Sequence, residues 1–182
     1  EISGPHNFDR SGGRGCAFTI TTNTLVGIGF GLIAWKGRDA LSPRLLGAIV
    51  LAIMLVGVVF NLLLGGLVHA TVWDALGDRV HHVVAPIVVP LWWLAFAPHG
   101  RLGWRDPFAW ALYPLAYAGY IFARVELQDA GSTLRDHYFY MDADKLGWTM
   151  AIANMAGIAA GFVATGLALV WLDRWLGRRA GG

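Results

Sequence analysis

Threonine and histidine are the residue types whose placement in this chain could carry chemistry. Four threonines and one asparagine fall between Thr19 and Thr24, in the stretch FTITTNTLVG, and the chain turns apolar directly after them. Two adjacent histidines, His81 and His82, open a second apolar stretch, VVAPIVVPLWW. A threonine hydroxyl is a weak nucleophile until a base within hydrogen-bond reach takes its proton. Histidine is suited to be that base, and it gains from an acid that orients it. Thr19 is the candidate nucleophile, with His82 or His81 as its base. Asn23 lies one turn beyond Thr19 on a similar helical face and could donate to an oxyanion. Asn61 is a second candidate donor, and Thr22 a candidate substrate-binding hydroxyl.

The same residue types also serve in metal and haem sites. Their spacing supports no metal motif, because the chain has no His-x-x-x-His and a single cysteine, Cys16, while haem would need His69 paired with His81 or His82, and all three lie near a span end. Neighbouring histidines on a helix point about 100° apart and would rarely hold one ion together. No metal or cofactor is therefore expected. Each residue has a structural reading as well. Thr19 or Thr22 could cap a helix, His81 and His82 could anchor at a membrane interface, and Asn61 could bond a neighbouring helix. Polar groups at membrane depth are costly, however, and are by default candidates for function.

The elements that must position these residues follow from composition. The 182 residues are 56% hydrophobic and 14% charged, where a soluble domain carries about 25% charged residues. The mean hydropathy is +0.52. The reading is an integral membrane protein, and the formal charge of +2 is too small to argue for nucleic acid as a partner. A membrane-crossing helix takes roughly 20 apolar residues. Five stretches qualify, at about 17–35, 45–68, 81–97, 107–123 and 149–172. Strands are excluded because the blocks lack the alternation of a barrel and an open sheet cannot satisfy its backbone in lipid. The expected fold is thus an all-α polytopic bundle in one domain. Kinks are expected at Pro86, Pro90 and Pro114, and close helix packing at Gly157 and Gly161.

Basic residues orient the spans. With the N-terminus outside, the inner segments hold Lys36, Arg38, Arg44, Arg101, Arg105, Arg174, Arg178 and Arg179, against six basic residues outside. That bias places the C-terminus in the cytoplasm. The alternation of spans then puts Thr19, His81, His82, Asp74, Asp78 and Glu126 at one membrane boundary, together with His6, His69 and His137. His99 alone of the six histidines falls at the other.

The order of several short stretches resembles the androgen-induced membrane hydrolases and their bacterial six-span relatives. These are FTITTNTL at Phe18, FNLLLGG at Phe60, RVHHVVAPIVVPLWWLAF at Arg79, GRLGWRDPFAWALYPLAYAGY at Gly100 and HYFYMDADKLGW at His137. The resemblance implies a threonine hydrolase that cleaves the ester between a fatty acid and a hydroxy fatty acid, without a cofactor. It matches Thr19 to the threonine. His82, four residues before Pro86, fits the bacterial spacing of the histidine, and His81, five before, fits the animal one. It also implies a sixth span ahead of Glu1 and a bacterial inner membrane. Two functions therefore stand as expectations: a lipid-ester hydrolase acting on a membrane lipid or acyl ester, and a non-enzymatic lipid-binding or transport protein whose polar cluster holds a headgroup. The oligomeric state is not readable.

Overall fold

Backbone N–H and C=O groups in an apolar stretch must be paired, and a helix pairs them locally. The computed structural model describes residues 17–64, 71–127 and 139–180, and among these there is no strand. Helix α1 is Ala17–Lys36 and α2 is Pro43–Val59, which continues as a wide π turn, Phe60–Leu64. Helix α3 (Val72–Arg79) passes through a second π turn, Val80–Val84, into α4 (Ala85–Phe96). Then follow α5 (Asp106–Trp110), α6 (Leu112–Glu126), the short α7 (Ala143–Leu146) and the long α8 (Trp148–Ala180). The histidines His6, His69 and His137, Cys16, and the end of the expected span 45–68 lie outside the described residues.

Among the described residues, four continuous helical runs are long and apolar enough to cross a membrane: Phe18–Lys36, Pro43–Leu63, Val72–Phe96 and Trp148–Arg179. The remaining expected span, 107–123, is helical but interrupted at Ala111 into pieces of 5 and 15 residues, neither of which alone reaches the roughly 20 residues a crossing takes. The cause is Pro114. It has no N–H for the Trp110 carbonyl one turn back, and its ring crowds that carbonyl. The expected span 81–97 instead begins at Val72. Thr71 caps it, accepting from the Asp74 N–H (3.1 Å) and donating to the Asp74 carboxylate (2.8 Å). Capping carries the helix through charged residues that hydropathy alone excludes, and so puts Asp78 on the helix of His82.

Helix α2 is the centre of the molecule. Ser42 caps it, its Oγ accepting from the Leu45 N–H at 3.2 Å, and Pro43 occupies the first turn, where no N–H is missed. Leu46, Val50, Leu51, Ile53 and Val56 are buried on it, packed with Trp93 of α4 and with Phe162, Leu169 and Val170 of α8. The outward faces are equally apolar: Ile28, Val58, Ile87, Leu91, Leu112 and Ile152 are all exposed. Helices that are hydrophobic all round belong in a core or a bilayer.

The close packing expected at Gly157 and Gly161 is not found among the described residues, where a Cβ at either would meet nothing within 4 Å. Gly166 takes that role instead: a Cβ there would lie 2.7 Å from Pro107 Cβ and 2.9 Å from Leu51 Cδ2. At the end of the molecule away from Thr19, α8 closes the fold. Asp173 is 1% exposed, and its Oδ2 accepts from the Leu102 N–H at 2.9 Å. Its Oδ1 lies 3.3 Å from His99 Nδ1, and its carbonyl accepts from the Gly100 N–H at 3.0 Å. The two backbones touch there, since a Cβ on Gly177 would fall 2.5 Å from Gly100 Cα.

Candidate active site

Thr19 lies in the first turn of α1, where backbone N–H groups have no acceptor within the helix and the dipole favours negative charge. Helix α2 brings the chain back antiparallel, and α3–α4 starts again from the same end. Thr19 and His82 meet in consequence: His82 Nε2 is 3.3 Å from Thr19 Oγ1, across 63 residues of chain. His82 is buried and Thr19 partly so.

The other ring nitrogen of His82 is fixed from its own helix. Nδ1 is 2.9 Å from Asp78 Oδ1 and 3.1 Å from the Asp78 carbonyl oxygen. Asp78 precedes His82 by four residues, one helical turn. Both neighbours of Nδ1 are acceptors when the carboxylate is ionised, so Nδ1 carries the proton in a neutral ring. Nε2 is then the lone-pair nitrogen, and it faces the threonine hydroxyl. Phe60 lies flat on the imidazole, with ring centroids 3.7 Å apart and planes inclined by 12°. The ring is thereby held on one face, at one edge and at its far nitrogen.

The two histidines separate clearly. His81 is exposed and His82 buried, so neighbouring positions of the wide turn put the two rings on different faces. Thr22 is fully buried and its Oγ1 lies 3.0 Å from the Tyr113 hydroxyl, in a separate pair one turn along α1. Asn23 donates from Nδ2 to the Thr19 carbonyl at 2.9 Å, so it stiffens the turn that carries Thr19. Asn61 donates from Nδ2 to the carbonyls of Gly57 (2.7 Å) and His82 (3.0 Å). Thr24 turns back to the Ile20 carbonyl at 2.8 Å. The sequence puts Asp78 at the same membrane boundary as Thr19 and His82 without singling it out as the orienting acid; the signal for that role is the Asp-x-x-x-His spacing. Among the described residues no group of three or more His, Cys, Asp or Glu could hold a metal ion.

Beside the Thr22–Tyr113 pair is a cleft of about 270 Å³. Leu25, Leu45, Ala48, Ile49, Trp110 and Phe162 contribute its apolar wall. It lies between α1, α2, α5–α6 and α8. Compared with protein-family models, curated proteins and solved structures, the chain matches none.

Proposed function

We propose that this protein is a membrane-embedded hydrolase of lipid esters, with Thr19 as nucleophile, His82 as general base and Asp78 orienting the imidazole. One observation carries the reading: two acceptor oxygens of Asp78 lie at His82 Nδ1 while Nε2 faces a threonine hydroxyl, the arrangement in which a neutral ring carries its proton on Nδ1 and its lone pair toward Thr19. A separation of 3.3 Å is long for a hydrogen bond, as is common before substrate draws a catalytic pair together. A capping or packing role for Thr19 would not call for a buried histidine so oriented.

In the proposed reaction Thr19 Oγ1 attacks the acyl carbonyl carbon as His82 Nε2 takes the hydroxyl proton. The carbonyl oxygen becomes an oxyanion beside the first-turn N–H groups of α1. The intermediate collapses, the C–O bond to the alcohol breaks, and His82 returns the proton to the departing oxygen. Water then gives a proton to Nε2 as its oxygen adds to the acyl-threonine. Collapse releases the carboxylic acid and restores Thr19. No external oxidant, reductant or cofactor enters this balance.

The surroundings fit an acyl substrate. The outward faces are apolar, and the cleft beside Thr22, one turn along α1 from Thr19, has an apolar wall against which a chain could lie. In this reading α5 and α6 cross the bilayer as one kinked fifth span, the site faces the outer leaflet of a bacterial inner membrane, and the C-terminus is cytoplasmic. On the resemblance in sequence, the substrate proposed is a fatty acid ester of a hydroxy fatty acid.

Two results are expected. Purified protein reacts with a fluorophosphonate probe, and Thr19→Ala abolishes the reaction while keeping the wild-type melting temperature in detergent. Undiminished reaction in a folded Thr19→Ala protein would remove Thr19 as the nucleophile. For the cleft, Ala48→Phe fills the wall and should depress kcat/KM for long-chain esters about 10-fold or more while sparing short-chain ones. That range corresponds to the one to three kcal/mol a hydrophobic pocket discriminates by. Equal losses for both chain lengths would place the acyl chain elsewhere.

A further inference from the structure

The His82 carbonyl lacks its ordinary partner for a reason written in the sequence. In an α-helix the N–H of residue 86 would bond it, and residue 86 is proline. The preceding N–H, that of Ala85, is committed to the Val80 carbonyl by the wide turn Val80–Val84. Asn61 supplies the missing donor from the other helix, at 3.0 Å, while also donating to the Gly57 carbonyl at 2.7 Å. Both partners are carbonyls, so the amide must turn its nitrogen toward them. The approach depends on Gly57: a Cβ there would sit 2.5 Å from Pro86 Cβ and 3.6 Å from the His82 oxygen. Phe60, the residue before Asn61, lies on the imidazole itself. Two consecutive residues of one π turn thus hold the backbone and the ring of a histidine on another π turn, and π turns within helices frequently mark functional sites.

We propose that Asn61 is a positioning residue for His82: its amide holds open the proline-widened turn that aims Nε2 at Thr19. It does not touch substrate, and its donor hydrogens are both spent on carbonyls, which separates this role from oxyanion binding. The proposal rests on the Thr19–His82 reading for its effect on reaction rate, but not for its effect on the ring.

The test uses full-length protein in detergent with Asn61→Leu, alone and combined with Pro86→Ala. Alanine at 86 restores a backbone N–H for the His82 carbonyl and allows an ordinary α turn. The expected result is that Asn61→Leu reacts with the fluorophosphonate roughly 10–100-fold more slowly, the scale of a small misplacement of a catalytic group. The double variant should regain the melting temperature lost in Asn61→Leu without regaining the reaction rate, because the rewound turn points the ring elsewhere. Recovery of both would reduce Asn61 to a satisfied hydrogen bond, and a wild-type rate in Asn61→Leu would overturn the proposal directly. Imidazole ¹H–¹⁵N spectra give a second readout, with the His82 signals identified by their loss in His82→Gln. Those signals should shift in Asn61→Leu and stay shifted in the double variant. If wild type does not react at all, the hydrolase reading fails, while shifted His82 signals still support the positioning role and unshifted ones reject it.

Discussion

His82→Gln is expected to slow the fluorophosphonate reaction by about 10²–10⁴-fold, the usual contribution of a positioned general base. Glutamine keeps a polar side chain of moderate size under Phe60 but has no lone-pair nitrogen to take the proton of Thr19. His81→Ala should react at the wild-type rate, because that ring is exposed and lies on a different helical face. The pair of variants is a sharp test, since the two histidines are neighbours with the same chemistry and differ only in helical phase. Equal losses in both, or a loss in His81→Ala alone, would mean that the third crossing helix presents its other face to Thr19.

The largest effect on stability is expected at the opposite end. Asp173→Ala removes a buried carboxylate that accepts from the Leu102 N–H and faces His99 Nδ1, and it leaves both groups without that partner. His99 is further held through Nε2 at the Leu94 carbonyl, 3.1 Å away, and Arg174 donates to the Leu102 carbonyl at 3.2 Å. A buried donor left without its acceptor costs about 1–3 kcal/mol. The melting temperature in detergent should fall accordingly. Asp173→Asn, which keeps an acceptor for Leu102, should lose less. Since this junction joins the 97–105 loop to α8 far from Thr19, the fluorophosphonate rate per folded molecule should be unchanged in Asp173→Asn. A reduced rate there would show that the two ends of the molecule are coupled.

The parts legible in the sequence were those set by hydropathy and alternation. An all-α chain follows from long apolar blocks, and the gathering of Thr19 and His82 follows from counting crossings. Choosing His82 over His81 was not possible from spacing to Pro86, because both spacings occur in the resemblance. It required the phase of a helix that begins at Val72, set by the Thr71 cap. Picking Asp78 from among Asp74, Asp78 and Glu126 as the partner of His82 needs the same phase. Charged residues ended the apolar run on paper, while the hydrogen-bonded helix continued through them and brought Asp78 one turn from His82. From the sequence, Asn61 stands both as an oxyanion donor and as an amide bonding a neighbouring helix, and the contacts match the second. Its two acceptors belong to Gly57 and to His82, and the latter carbonyl is left for it because Pro86, one turn on in the same helix, has no N–H. The interruption at Ala111 was anticipated as a kink at Pro114. Its position three residues upstream reflects the carbonyls that proline leaves unpaired one turn before it.

The most direct measurement is the site of the covalent adduct. Wild-type protein treated with a fluorophosphonate and digested should carry the phosphonyl group on Thr19, in the peptide containing FTITTNT, as read by fragment-ion mass spectrometry. An adduct on Thr21, Thr22 or a residue of another helix, or a wild-type protein that takes up no probe, would contradict the assignment of Thr19 and His82 as the reacting pair.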